Sequence, residues 1–154
     1  MDITIKYDDH EVTQALTRLQ AKLGDLTPAM RDIGELVLLS VKRNFEDAGR
    51  PTKWPLSRRV KEHGGQTLSD TGRLRNSMTS KAGADQVTIG TNVIYAAIHH
   101  FGGKIRPKTK RGLMIPGMKH PLQSVTMPAR PFLMIQDQDR GSILRIIERY
   151  LLQG

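Results

Sequence analysis

The side chains of this chain that could do chemistry include five histidines, a Gly-Gly-Lys run, scattered serines and close pairs of acids such as Glu46 with Asp47 and Asp137 with Asp139. His99 and His100 are adjacent, so on a helix they point about 100° apart, whereas a helical metal pair needs i, i+4 spacing. His10, His63 and His120 fall in three separate turns with no acidic cluster at ligand spacing, and polar roles near helix ends and in loops account for them. No metal is expected. Gly102-Gly103-Lys104 resembles a phosphate loop superficially, but the first glycine of GxxxxGK is missing, Ile105 replaces the hydroxyl residue, and a helical pattern precedes it where a strand should. No GxSxG elbow presents a serine, and no histidine is placed by sequence to activate one. Glu46 with Asp47, and Asp137 with Asp139, sit at helix ends, where dipole, capping and solvation explain them. The expectation is a protein that is not an enzyme and holds no cofactor.

What spacing does select is charge. Arg50 to Lys61, Arg73 with Arg75, and Lys104, Arg106, Lys108, Lys110 and Arg111 form three basic clusters within a formal net charge of +9. They could line a phosphate-binding surface, with Trp54 or Phe101 available for stacking. No helix-turn-helix, RNP pattern or zinc finger accompanies them, so charge is the only support for binding nucleic acid. The lone Trp54 stands in an irregular basic segment, either as a plug that pins the loop to the core or as an anchor for a partner. The plug reading is preferred.

A chain of 154 residues matches one domain, 1–154, with one core. Aromatic residues are scarce at 5%, which disfavours a purely apolar ligand pocket. The absence of cysteine removes disulfides, thiolate zinc sites and cysteine nucleophiles. No leader pattern follows Met1 and no run approaches the ~20 apolar residues of a membrane span, so a soluble, cytoplasmically made protein with no membrane partner is expected.

These residues need elements to hold them. Asp2 to Tyr7 alternates as a strand with one buried face. Asp8 or Asp9 caps a helix with Val12, Ala15, Leu16, Leu19 and Leu23 on one stripe, ended by Gly24. Thr27-Pro28 starts a long central helix to about Asp47, whose Leu36, Leu38 and Leu39 widen the apolar surface until more than one side is covered or a second face meets another subunit. Gly49 to Leu68 reads as a loop. Ser69, Asp70 and Thr71 can cap a short helix that presents Arg73 and Arg75, and a hairpin follows from Met78–Ala82 through Gly83–Asp85 to Val87–Ile89. Ile94, Ala97, Ile98 and Phe101 fall on one helical face that should dock on the core, and Gly102-Gly103 releases the basic arm. Leu113–Ile115 and Val125–Met127 are strand candidates. Pro128–Leu133, PARPFL, runs extended along an edge or between elements. A last helix capped at Asp137 or Asp139 carries Ile143, Ile146, Ile147, Tyr150 and Leu151 inward. The fold class is α+β: a small antiparallel or mixed sheet against two or three helices, with a long central helix and an extended basic loop.

Three segments in order, Trp54-Pro55-Leu56 leading to LSDTGRLRNSM (68–78), YAAIHHFGGKI (95–105) and PARPFL, resemble the phage virion morphogenesis family. This family comprises tail-completion and head-tail joining proteins of Mu-like long-tailed bacteriophages. The likeness covers roughly Pro28 to the C-terminus. It implies a virion component, assembled in the cytoplasm of the bacterial host, that closes a tail end and helps join tail to head. It further implies a homo-oligomeric ring, commonly hexameric, whose partners are the tail tube and head-neck proteins, with non-specific DNA contact a further expectation. The residues expected at such interfaces are Trp54, Arg73, Arg75, His99, Phe101, Lys104, Arg106, Lys108, Lys110, Arg111 and Arg130. The arm would be disordered or extended alone and would order against a neighbour, an acidic tube surface or DNA. The alternative function is a basic DNA-binding protein acting on phage or host DNA.

Overall fold

The structure, a computed structural model, describes residues 6–153. The strand expected from Asp2 to Tyr7 falls mostly outside them, and Lys6 and Tyr7 belong to no strand. Helix α1 spans His10–Leu23 and starts where Asp9 accepts the backbone N–H of Val12 at 3.0 Å, one of the two caps foreseen. It buries Val12, Ala15 and Leu19 and stops at Gly24, whose φ of 73° is cheap only for glycine. Helix α2, Thr27–Glu46, is the long central element. Its start is fixed by Asp25, whose carboxylate accepts both the N–H and the hydroxyl of Thr27, with Pro28 occupying the first turn.

The hairpin β1 (Thr79–Ala82) and β2 (Val87–Gly90) pairs antiparallel with Thr79 opposite Gly90, and lies on α2. Gly34 permits that approach: a Cβ there would lie 2.2 Å from Ser80 Oγ and 2.7 Å from Val87 Cγ2. Helix α6, Asp137–Gln153, packs against α1 and α2 and buries Ile143 and Ile147. The core between these helices centres on Leu19, Val41, Phe45, Phe132 and Ile147. The α+β class stands as expected, built as two separate two-stranded antiparallel sheets among six helices of the described residues.

A buried polar cluster ties the far end of α2 to the entry of α6. Asp139 accepts Ser40 Oγ at 2.5 Å and the N–H of Gln136 at 2.7 Å, so it reaches back over the start of α6 as a capping-box acid does. Asn44 donates to Phe132 O, and Arg50 donates to Asn44 Oδ1 and Ser40 O. Each polar group finds a partner, which is the condition for burying it without a large penalty.

The segment 49–68 departs from the loop reading. It contains α3, Arg58–His63, whose N-cap Ser57 accepts the N–H of Val60. The helix buries no residue, so it leaves no apolar stripe for a sequence reading to find.

Candidate assembly surface

Helix α5, Ala96–Phe101, is a short helix set between the hairpin and the arm. Its buried face is Ala96 and His100, with Val93 just before it. Of the four residues expected to dock on the core, Ile94 is 84% exposed and Phe101 60% exposed, Ile98 is half-buried, and only Ala97 packs against the core. The reason is His100. Its ring packs edge-on against Phe132, centroids 5.0 Å apart, and its Nδ1 accepts the N–H groups of Phe132 and Leu133 at 3.3 and 3.4 Å. A polar residue that terminates two buried backbone donors outcompetes an aliphatic one for the inward position. With Nδ1 accepting, the proton sits on Nε2, and burial pushes the pKa of His100 below its ordinary value.

Gly102 ends α5 at φ 69° and lets the chain pass against PARPFL: a Cβ on it would lie 2.6 Å from Ala129 N and 2.8 Å from Met127 O. Beside this crossing, the N–H of Arg130 donates to His99 O at 2.8 Å. Arg130 itself is 3% exposed, and its Nε donates to Pro55 O at 2.8 Å. Trp54 is 6% exposed, donates to Pro131 O at 3.1 Å and meets Phe45 edge-on at 5.7 Å. Trp54 is therefore the plug. One recess of about 230 Å³ gathers Leu68, Arg73, Leu74, Tyr95, His99 and Arg130, so the three sequence segments singled out above converge in space.

The arm leaves from this crossing as a strand pair. β3, Gly103–Ile105, runs antiparallel to β4, Val125–Met127, with Ile105 opposite Val125, and an isolated bridge joins Leu113 to Leu122 further out. From Ile105 to Leu113 is eight steps, while Val125 to Leu122 is three. The surplus lies wholly on the outgoing strand, so Arg106, Lys108, Lys110 and Arg111 sit in a bulge between two paired rungs. All four are exposed, as are Lys104 and, at the tip, Met114.

The sequence profile of the phage virion morphogenesis family matches residues 7–152. The chain belongs to this family. It is also 39% identical over 140 residues to Mu-like prophage FluMu G protein 2 of Haemophilus influenzae, an alignment covering 91% of this chain and 88% of that protein. No solved structure matches.

In this virion morphogenesis protein the residues expected at interfaces separate into three groups. Phe101, Lys104, Arg106, Lys108, Lys110 and Arg111 are presented on α5 and the arm. Arg73, on helix α4 (Arg73–Asn76), and His99 meet at the recess, while Arg75 of the same helix pairs with Glu46 at 2.5 Å. Trp54 and Arg130 are buried side chains, and Arg130 lines the recess. The two tie segment 54–55 to PARPFL in both directions, Trp54 donating to Pro131 O and Arg130 to Pro55 O. Sequence reasoning missed Ile94 and Tyr95 as exposed apolar groups; the signal was His100, whose burial turns the helix.

Proposed function

We propose that this protein is a non-enzymatic virion assembly component that completes a phage tail end and helps join tail to head, acting as a homo-oligomeric ring in the host cytoplasm. The observation that carries this reading is the set of outward apolar groups that brackets α5, Ile94 and Tyr95 just before it and Phe101 at its end, at the root of a protruding basic arm. Large apolar groups left exposed within one short stretch suit a surface for protein contact. A subunit that seats its apolar groups or its arm on a different surface of a neighbour makes a head-to-tail contact, and head-to-tail contacts that close make rings. Membership of the family, and the likeness to a protein named for a Mu-like prophage, supply the setting.

The test is electron microscopy of lysates from a phage carrying Ile94→Ser with Phe101→Ser. Unjoined heads and tails are the expected outcome, and normal virions overturn the reading. Light scattering on the purified protein is expected to give a defined ring mass that the double variant loses. Sub-micromolar, steeply salt-dependent duplex binding by a protein that stays monomeric would replace this reading with DNA binding.

A further inference from the structure

The recess beside α5 holds more positive charge than it neutralises. Arg59, Arg73 and Arg130 all line it, against one acid, Asp70, which lies 3.6 Å from Arg59 Nη1. Arg59 also donates to Gln66 O at 2.6 Å. Among the described residues Arg73 has no ion pair, and the only side-chain hydrogen bond of Arg130 is the one from Nε to Pro55 O. The terminal nitrogens of Arg130 thus have no protein acceptor and are open to an incoming anion. His99 lines the same recess, and its Nδ1 is shut from solvent with no hydrogen-bond partner.

We infer that this recess binds a carboxylate, the side chain of a glutamate or aspartate on a partner protein in the virion, held by Arg73 and Arg130. Shape decides the chemistry. About 230 Å³ is space for roughly seven waters, enough for one acid side chain. Leu68, Leu74, Tyr95 and Met127 supply apolar walls for a methylene stem, while a guanidinium fork matches a carboxylate head with two parallel hydrogen bonds. The bound charge also acts on His99. Its pKa is held below the ordinary value by burial first and by the Arg130 charge second. The charged groups around it are Arg130, Arg59, Arg73 and Asp70, with the Tyr95 ring edge-on at 5.8 Å. Neutralising that field lets the imidazole take up a proton, so the carboxylate binds more tightly as pH falls.

The inference rests on the assembly reading only for the source of the acid, and the two are separable. NMR of the purified full chain, following the His99 ring and the Met127 methyl, is titrated with glutarate and with inorganic phosphate at matched ionic strength. Glutarate is expected to shift both signals saturably and to raise the apparent pKa of His99 by on the order of one unit. Arg73→Gln, at an exposed position, is expected to melt as wild type and to bind glutarate about tenfold more weakly. Absence of a saturable shift, an unchanged affinity in Arg73→Gln, or tighter binding of phosphate than of glutarate overturns the assignment. A phage carrying Arg73→Gln is expected to yield fewer joined virions. Normal yield, with glutarate binding intact in the wild-type protein, overturns the virion partner and leaves the Ile94, Phe101 test of assembly untouched.

Discussion

His100 is held neutral by its surroundings, and that makes the fold sensitive to acid. Its pKa lies below the ordinary value through burial, as does that of His99 through burial and the Arg130 charge. The unfolded chain therefore binds protons that the folded chain refuses. The stability this represents is complete above the unfolded value of about 6.5 and is lost as pH falls toward the folded pKa. Urea midpoints are expected to drop between pH 8 and pH 5, and His100→Asn, which keeps an acceptor, is expected to flatten that slope while lowering stability at pH 8. A slope that His100→Asn leaves unchanged would assign the acid sensitivity elsewhere. Two further side chains carry large local terms. Trp54→Ala should cost about 3–5 kcal/mol, because it empties a site against Phe45 and frees Pro131 O. Gly34→Ala should cost about 1–3 kcal/mol despite the better helix propensity of alanine, since the new methyl meets Ser80 and Val87. Ser80→Gly alongside it should recover part of that loss in the same denaturation experiment.

At the scale of elements, α5 shows what periodicity can and cannot read. A helix forms where the stripe Ile94, Ala97, Ile98 and Phe101 predicts one, but its two ends, Ile94 and Phe101, face outward and only Ala97 packs against the core. Periodicity reports which residues share a face, not which face is covered, and here a histidine with two buried donors to satisfy takes the inside. The same reasoning read α1, α2, the β1–β2 hairpin and α6 close to their observed bounds, because each has a long stripe or a turn signal and a cap. It missed α3, which buries nothing, and it saw the convergence of 68–78, 95–105 and PARPFL only as a likeness of motifs. Their meeting at one recess depends on the backbone path past Gly102, which no local pattern encodes. For the exposed apolar groups at the two ends of α5, Ile94→Ser with Phe101→Ser should leave the thermal midpoint of the subunit within a few degrees of wild type. Both side chains already contact water, so little burial is lost.

Across the whole molecule the formal charge of +9 is unevenly placed, with five positive residues between Lys104 and Arg111. Neutralising those five to glutamine should leave the fold intact and weaken association most at about 0.01 M salt, where screening reaches ~30 Å. The difference from wild type should vanish near 1 M, where it reaches ~3 Å. Equal weakening at both salts would mean that the arm acts through packing at Met114 and its neighbours and not through its charge. The helices α1, α2 and α6 carry the core without help from the arm. The folding unit and the reaching unit are therefore separate parts of one chain.

The uneven strands of the arm carry a further consequence. Because the five surplus residues lie between two fixed rungs and on the outgoing strand alone, their number can change without shifting the pairing of Ile105 with Val125 or of Leu113 with Leu122. The basic bulge is therefore a place where insertions and deletions leave both flanking rungs in phase, so the reach and charge of the arm can vary while the rest of the fold is inherited unchanged.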